Sequence, residues 1–157
     1  MAALEEALER HGAEVAAVIR GTAGCSPYLA GLIAHEGEWL AAALDNPEEA
    51  VAAFLADLPA LPLDQLTTEL RRAKRRIALI TAVCDLAGVW PLEVVTQVLT
   101  DFADAAVQCS LTRLVAAEVA RGKLPEGDDP AEKRAGGYDE VVADMFQDNE
   151  LPGPLFP

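Results

Sequence analysis

Apolar residues recur at intervals of three and four along most of this chain, the spacing that places them on one face of an α-helix. β-Branched residues do not alternate with polar residues, so the pattern does not favour a sheet. Proline and glycine fall mainly between the apolar segments, where they mark helix ends. The pattern therefore predicts an all-α fold, an antiparallel bundle of about five helices that span residues 3–20, 27–44, 47–58, 64–87 and 91–121.

The ends of these helices carry recognisable signals. Ser26 and Asn46 each precede a proline, and their side chains can accept a backbone N–H that the first helical turn leaves unpaired. The segment Gly21-Thr22-Ala23-Gly24 is expected to end the first helix. The corner Gly88-Val89-Trp90-Pro91 combines a helix-closing glycine with a helix-opening proline, so the two longest helices are expected to be antiparallel neighbours.

The same periodicity predicts which side chains are buried. Trp39 and Trp90 each adjoin an apolar stripe and are expected to anchor the core. The predicted core positions of the two longest helices are Leu66, Leu70, Ala73, Ile77, Ile80 and Cys84, followed by Leu92, Val95, Leu99, Phe102, Ala106 and Cys109.

Composition divides the chain near residue 122. Residues 1–122 carry the predicted bundle, and residues 123–136 are rich in proline, glycine and charged residues, which is typical of an exposed linker. Residues 138–147 have the pattern of one further short helix, and the proline-rich end 151–157 is expected to be loose. Residues 123–157 are therefore predicted to form a flexible C-terminal tail.

Composition and charge narrow the class of protein. The 157 residues include 12 lysines and arginines and 26 aspartates and glutamates, which give a net charge of −14. This charge repels a phosphate backbone, so nucleic-acid binding is not expected. The amino terminus lacks the pattern of a signal peptide, and no apolar run approaches the ~18 residues of a membrane span, so a cytoplasmic protein without membrane contact is predicted. Cys25, Cys84 and Cys109 form no Cys-x-x-Cys pair and are expected to be buried, reduced thiols.

Positive charge is concentrated in residues 71–76, which we call the basic cluster: Arg71, Arg72, Lys74, Arg75 and Arg76. Arg71 and Arg75 are one helical turn apart, as are Arg72 and Arg76, so each pair can share a phosphate or an acidic surface of a partner. In the other interpretation, these side chains pair with carboxylates of neighbouring helices. The four arginines are the candidate contact residues.

Other polar motifs give weaker signals. His11-x-x-Glu14 and His35-x-x-Glu38 have a spacing at which two side chains can share a metal ion. Carboxylate-bridged metal bundles use the reverse order, Glu-x-x-His, with further glutamates that face inward, so solvated helix faces are favoured. The sequence has no phosphate-binding glycine loop, nucleophile elbow or His-Glu-x-x-His zinc motif. No metal ligand and no catalytic residue is predicted.

Two segments resemble one known family. Residues 71–109 place a basic helix start, an apolar helix body, the corner at residues 88–91 and a second long helix in one unbroken order. Upstream, Ser26-Pro27-Tyr28-Leu29 leads to Glu38-Trp39-Leu40. Both segments are similar to the amino-terminal part of the bifunctional glutamine synthetase adenylyltransferase and adenylyl-removing enzyme of bacteria, and together they reach across roughly the first 125 residues.

The resemblance implies a helical scaffold and, for a full-length family member, magnesium-dependent transfer of AMP from ATP to a tyrosine of glutamine synthetase. It also implies phosphorolytic removal of that AMP by a second nucleotidyltransferase domain, and regulation of nitrogen metabolism through a PII protein and glutamine. The family's nucleotidyltransferase signature, Gly-Lys-Leu-Gly followed by Ser-Asp-Ile-Asp, does not occur in this sequence. The chain is therefore expected to be a non-catalytic amino-terminal fragment or truncated relative that precedes a missing catalytic domain. The alternative is a free-standing helical interaction module.

Overall fold

A computed structural model describes residues 2–123, and within these residues the chain is helical with no strand, which confirms the all-α class. The predicted short helix at residues 138–147 and most of the predicted tail lie outside the described residues. The helices are α1 Ala2–His11, α2 Ala13–Cys25, α3 Pro27–Ala43, α4 Pro47–Asp57, α5 Leu63–Leu86 and α6 Leu92–Ala120, with a 3₁₀ turn at Leu58–Ala60 between α4 and α5.

Six helices are present between residues 2 and 123, rather than about five, because the predicted first helix is broken at Gly12. Gly12 has φ +92° and ψ 175°, a conformation that residues with a Cβ atom rarely adopt. The second half, α2, then continues through Gly21 and ends at Cys25, so the expected stop at Gly21 was wrong. Thr22 is buried and Ala23 packs against the core, and this packing offsets the weak helix propensity of glycine.

The predicted start signals of α3 and α4 are confirmed. Ser26 Oγ accepts the backbone N–H of Leu29 at 3.3 Å, and Asn46 Oδ1 accepts that of Glu49 at 3.2 Å. The Asn46 side-chain amide also donates to the Glu49 carboxylate at 2.9 Å. Each helix therefore begins with its unpaired backbone donors partly satisfied by a local side chain.

The core lies between α3 and the three helices that pack on it, α1, α2 and α5. α5 turns its predicted stripe towards α3, with Ala73, Ile77 and Ile80 almost fully buried. The large side chains with the least exposed surface are Leu4, Leu40, Ile77, Leu79 and Ile80.

α6 runs back along the bundle after the corner at Gly88, which has φ +66°. Trp90 is buried, and its Nε1 donates to Glu48 at the start of α4 at 2.7 Å. Further along α6, Cys109 Sγ donates to the carbonyl of Leu58, just after the end of α4, at 3.0 Å. Because α5 leads from the Leu58 end of the bundle to the Glu48 end, α6 runs in the direction opposite to α5, as the corner predicted. In the described residues, however, α5 packs on α2, α3 and α4 and makes no comparable contact with α6, so the prediction that the two longest helices are neighbours is not confirmed. The two hydrogen bonds instead place α6 along α4.

Only part of the apolar surface of α6 is buried. Val95 is buried and Phe102 packs partly against the core. Leu92 and Leu99 are 67% and 44% exposed, so the prediction that both are core residues was wrong. Helical geometry places them roughly 40–60° around α6 from Val95, enough to turn them out of the contact with the bundle.

The chain divides into two compact units, Met1–Arg113 and Leu114–Pro157. In the described part of the second unit, α6 ends at Ala120, and Gly122 takes φ +70° just beyond it. Lys123 Nζ lies 3.2 Å from Glu118 Oε2 in this last turn. Between residues 2 and 123, no helix has both the length and the apolar composition needed to cross a membrane.

Candidate functional site

The basic cluster lies on α5 beside α3, where the carboxylate of Glu36 joins two of its arginines. Arg75 Nε donates to Glu36 Oε1 at 2.8 Å, and Arg76 Nε donates to Glu36 Oε2 at 2.9 Å. The Glu36 side chain is 6% exposed, whereas those of Arg75 and Arg76 are 42% and 24% exposed. One buried carboxylate is therefore shared by two adjacent guanidinium groups, which ties α3 to α5.

The position of Glu36 on α3 explains why it has two cationic partners. Leu32, Ile33 and Leu40, each within about one turn of Glu36, are buried, so Glu36 belongs to the face of α3 that packs against the bundle. A buried charge is strongly unfavourable unless it is paired and hydrogen-bonded. Arg75 and Arg76 are consecutive residues, so their side chains leave α5 about 100° apart and each can satisfy a different carboxylate oxygen.

Arg76 is held by aromatic rings as well as by the carboxylate. Its guanidinium carbon lies 5.3 Å from the centre of the Trp39 ring and 5.9 Å from that of Phe54. These distances are typical of cation–π contacts. Since Trp39 belongs to α3 and Phe54 to α4, Arg76 links three helices through one guanidinium group.

The arginines also set the protonation of Glu36. Desolvation by burial raises the pKa of this carboxyl, but the hydrogen bonds from Arg76 and Arg75, together with their positive charges, outweigh it. The pKa of Glu36 therefore lies below its ordinary value of 4.5. The carboxylate is charged at neutral pH and remains an acceptor for both arginines.

The remaining members of the basic cluster differ in their surroundings. Arg72 Nη1 pairs with Glu69, one turn earlier on α5, at 3.1 Å. Arg71 and Lys74 are exposed, and neither pairs with a carboxylate of the described residues. Pairing with neighbouring carboxylates thus accounts for Arg72, Arg75 and Arg76, while contact of the four candidate arginines with a partner or a phosphate stays a prediction.

A shallow surface groove of about 430 Å³ adjoins Arg75, lined by Pro27, Tyr28, Gly31, Leu32, His35 and Arg75. His35 Nδ1 lies 2.7 Å from the carbonyl oxygen of Gly31. A carbonyl oxygen can only accept, so Nδ1 carries the proton and Nε2 is the other ring nitrogen available for bonding. The groove brings the Ser26–Leu29 segment and the basic cluster, predicted separately, onto one surface.

Neither histidine–glutamate motif forms a shared site in this structure. His11 Nε2 lies 3.0 Å from Asp45 in the turn after α3, where Arg10 Nη1 also binds Asp45 at 2.9 Å. The pKa of the Asp45 carboxyl is lowered, mainly by the hydrogen bonding of Arg10. The positive charge of Arg10 and the contact with His11 lower it further, and together these effects outweigh desolvation. In the part of the chain that the structure describes, no three histidine, cysteine, aspartate or glutamate side chains are grouped so that they could hold a metal ion.

The cysteines are free thiols in two different surroundings. Cys84 and Cys109 are buried as expected, whereas Cys25 is exposed, so its predicted burial was wrong. Cys25 is the last residue of α2, where the helix end turns it away from the core. Burial, and then the negative charge of Glu48, raise the pKa of the Cys84 thiol to about 12, so it is not a nucleophile at neutral pH.

Sequence reasoning missed Glu36, the residue that organises this site. His35 and Glu38, the pair within α3 that the sequence analysis weighed, are both exposed, in line with the solvated helix face that was favoured for them. The available signal was an acidic residue on the apolar stripe of α3, four residues after Leu32 and four before Leu40. A charge at such a position predicts a counter-ion on a neighbouring helix.

Comparison with known proteins gives a consistent result. The family model described as glutamate-ammonia ligase adenylyltransferase matches residues 16–136, which include Glu36 and the basic cluster. The bifunctional glutamine synthetase adenylyltransferase/adenylyl-removing enzyme of Caulobacter vibrioides is 42% identical over 104 residues, 63% of this chain and 10% of the relative. The protein of the same name from Rhodopseudomonas palustris strain TIE-1 is 37% identical over 125 residues, 75% of this chain and 13% of the relative. That from strain BisB5 is 35% identical over 141 residues, 85% of this chain and 14% of the relative.

The matches cover most of this chain but little of the relatives. The chain spans 10–14% of the length of these three proteins. No solved structure was found to match the chain. The activities in the relatives' names therefore belong to much longer polypeptides.

Proposed function

We propose a function for this chain on the basis of its family: it belongs to the glutamate-ammonia ligase adenylyltransferase family. We infer that it is the amino-terminal helical segment of such an enzyme, or a truncated relative, and that it has no catalytic residues of its own. The observation that carries the proposal is the family match over residues 16–136, in a chain that spans 10–14% of its relatives and lacks the nucleotidyltransferase signature.

The proposed role is that of a rigid helical platform for a catalytic domain. The Glu36 carboxylate ties α3 to α5, and Arg76 adds α4 through Phe54, so α5, which carries the basic cluster, is held to both α3 and α4. Arg71 and Lys74 are exposed on this platform. We propose that these two cations, with the outer part of Arg75, contact an acidic surface of the nucleotidyltransferase domain or of glutamine synthetase. Arg76 contributes to the rigidity of the platform.

In this proposal, ATP and magnesium act in the catalytic part of a full-length family member. Magnesium prefers several oxygen ligands in octahedral geometry. Residues 2–123 offer no grouped set of such ligands, so they do not fit a magnesium site. We propose glutamine synthetase as the substrate of the full-length protein because the relatives' names state it, and the resemblance of the sequence supports a proposal of control by a PII protein and glutamine.

Complementation in trans tests the proposal. The Caulobacter vibrioides relative would be produced without the segment that matches this chain, and mixed with this chain, glutamine synthetase, magnesium and labelled ATP. We expect no labelling by this chain alone, little by the shortened enzyme, and restored labelling or removal of AMP by the mixture. An Arg71→Gln/Lys74→Gln variant should restore less, while Arg10→Gln/Arg20→Gln, which changes two exposed arginines of α1 and α2, should restore as much as the unchanged chain.

Two outcomes would contradict the proposal in different ways. Labelling by this chain alone would mean that it contains an active site. A mixture without restored activity, combined with no association of the two polypeptides, would favour a free-standing interaction module. The DNA after codon 157 distinguishes the same alternatives, because a continuing frame that encodes Gly-Lys-Leu-Gly and Ser-Asp-Ile-Asp supports a fragment, and a natural stop codon supports a truncated relative or a module.

A further inference from the structure

Three exposed apolar side chains lie along one side of α6, and we call them the α6 stripe: Leu92, Leu99 and Val107. They are 67%, 44% and 59% exposed. At 100° per residue they lie within an arc of about 80°, and at 1.5 Å per residue they extend over about 22 Å. Scattered exposed apolar residues are normal on a protein surface, but large ones that recur along one side of a helix, here at intervals of seven and eight residues, are typical of a contact site.

The surroundings of the α6 stripe are acidic. Between residues 77 and 112 the sequence has no lysine or arginine, and four acidic residues, Asp85, Glu93, Asp101 and Asp104. Glu93 and Asp104 are exposed on one side of the stripe. At 100° per residue, they lie about 80–100° around the helix axis from the middle of the stripe. The opposite edge of the stripe adjoins Val95, which is buried against the bundle. The stripe therefore has one edge closed by the bundle and one edge lined by carboxylates.

This combination defines the chemistry of a partner. An apolar line of about four helical turns matches the apolar face of an amphipathic helix, whose anchors recur at three and four residues. The acidic edge is complementary to lysines or arginines beside those anchors, and residues 92–112 of α6 supply no cation to compete with them. A second copy of this chain is disfavoured, because each copy has a net charge of −14 and a twofold contact would bring like charges together at the edges.

We propose that the α6 stripe is a docking surface for an amphipathic helix with a basic edge. The apolar anchors of that helix would cover Leu92, Leu99 and Val107, and its cations would lie near Glu93 and Asp104. The proposal is separate from the function proposed above, because the contact is a property of this chain alone and is measured without any catalytic domain.

Synthetic helices of about eighteen residues, five helical turns, provide the probes. The first has leucines at i, i+3, i+4 and i+7 with lysines at the remaining positions, the second replaces every lysine by glutamate, and the third has the composition of the first in scrambled order. Binding of each labelled peptide to the full chain would be measured by fluorescence anisotropy, and the contact would be located by amide chemical-shift changes. We expect tightest binding of the leucine–lysine helix, with shifts concentrated in residues 92–107.

Variants of the chain test the location of the contact. Leu99→Gln should weaken binding of the leucine–lysine helix about tenfold or more, as expected for loss of one apolar anchor. Leu63→Gln, which changes an exposed leucine at the start of α5, should leave the affinity unchanged. Both positions are exposed, so both variants should keep the circular dichroism spectrum of the unchanged chain.

Several results would overturn the proposal. Equal binding of the scrambled peptide would mean attraction by charge alone, and equal binding of the leucine–glutamate helix would mean that the acidic edge does not select the partner. Binding unaffected by Leu99→Gln, or shifts outside residues 92–107, would place the contact elsewhere. A dimer of the chain that is lost in Leu99→Gln would make a second copy the occupant.

Discussion

Replacing Glu36 by glutamine is the sharpest test of how the platform is held together. The substitution keeps the size of the side chain but leaves one oxygen instead of two and adds an amide N–H₂ that faces a guanidinium donor. Hydrogen bonds that involve charged groups contribute about 1.5–3 kcal/mol each. Glu36 accepts two of them, from Arg75 and Arg76.

The exposure of the partners decides how much of this is lost. Removing one member of a fully buried ion pair costs about 3–5 kcal/mol, because the other charge is left without a partner. Here Arg75 and Arg76 are 42% and 24% exposed, so water can solvate both once they are released. We therefore expect Glu36→Gln to lower the free energy of unfolding by about 2 kcal/mol. The corresponding fall in the melting temperature is roughly 6–10 °C.

The two arginines should differ in a defined order. Arg76 is less exposed than Arg75 and also contacts Trp39 and Phe54, so Arg76→Gln should destabilise the chain more than Arg75→Gln. Urea denaturation followed by circular dichroism would give the unfolding free energies of the single variants. The double variants with Glu36→Gln would give the coupling energies, and the coupling of Glu36 with Arg76 should be the larger.

A neighbouring acid provides the control. Glu38 is exposed on the same helix, so Glu38→Gln should stay within about 0.5 kcal/mol of the unchanged chain. If Glu36→Gln is equally harmless, or if Arg75→Gln costs more than Arg76→Gln, the shared carboxylate does not hold α3 to α5.

Three further predictions concern pH, backbone conformation and the corner. The pKa of Glu36 is lowered in the folded chain, so its contribution to stability is present above its ordinary value of 4.5 and is lost as pH falls through the lower folded value. The difference in urea midpoint between the unchanged chain and Glu36→Gln should therefore shrink as the pH is lowered below 4.5, and a difference that stays constant would contradict this prediction. Gly12→Ala should destabilise the chain by about 1–3 kcal/mol because of the positive φ, whereas Gly21→Ala, within α2 and with open space around it, should stabilise it by about 0.5–1 kcal/mol; denaturation curves that move in the same direction would refute this contrast. Trp90→Phe removes the donor to Glu48 and should lower the free energy of unfolding by about 1 kcal/mol in the same assay. Glu48→Gln keeps an acceptor and should lower it less. The reverse order would mean that the hydrogen bond does not secure the corner.

The features that were predicted correctly are those that depend on nearby residues. The caps at Ser26 and Asn46 involve a side chain and a backbone N–H three residues later, so the local sequence contains both partners. The break at Gly12 was missed because a glycine in a helical pattern can be tolerated, and packing of both halves on α3 decides whether it bends the chain. The pairing of Glu36 joins residues 39 and 40 positions apart, which no analysis of periodicity within one helix can identify.

The exposure of Leu92 and Leu99 has a different origin. Helical periodicity correctly places them beside Val95 on one apolar surface, but it does not tell how much of that surface this chain itself covers. In the described residues, the other helices fill the core around α3 and leave α6 in contact along one side only. An apolar arc wider than the contact was therefore assigned to the core, although part of it faces outward.

The two proposed contact surfaces should respond differently to salt, and this follows from their opposite composition. The α5 surface depends on exposed cations, Arg71 and Lys74, and interactions between exposed charges are screened beyond about 8 Å at physiological ionic strength. The α6 stripe depends on Leu92, Leu99 and Val107, whose burial is not weakened by salt in this way, with only its acidic edge subject to screening. An assembly that uses both surfaces should therefore lose the α5 contact first as salt is raised. We would measure the affinity of the chain for such a partner at increasing salt concentration. The affinity of Leu99→Gln, which keeps mainly the charged contact, should fall steeply, and that of Arg71→Gln/Lys74→Gln should fall only slightly.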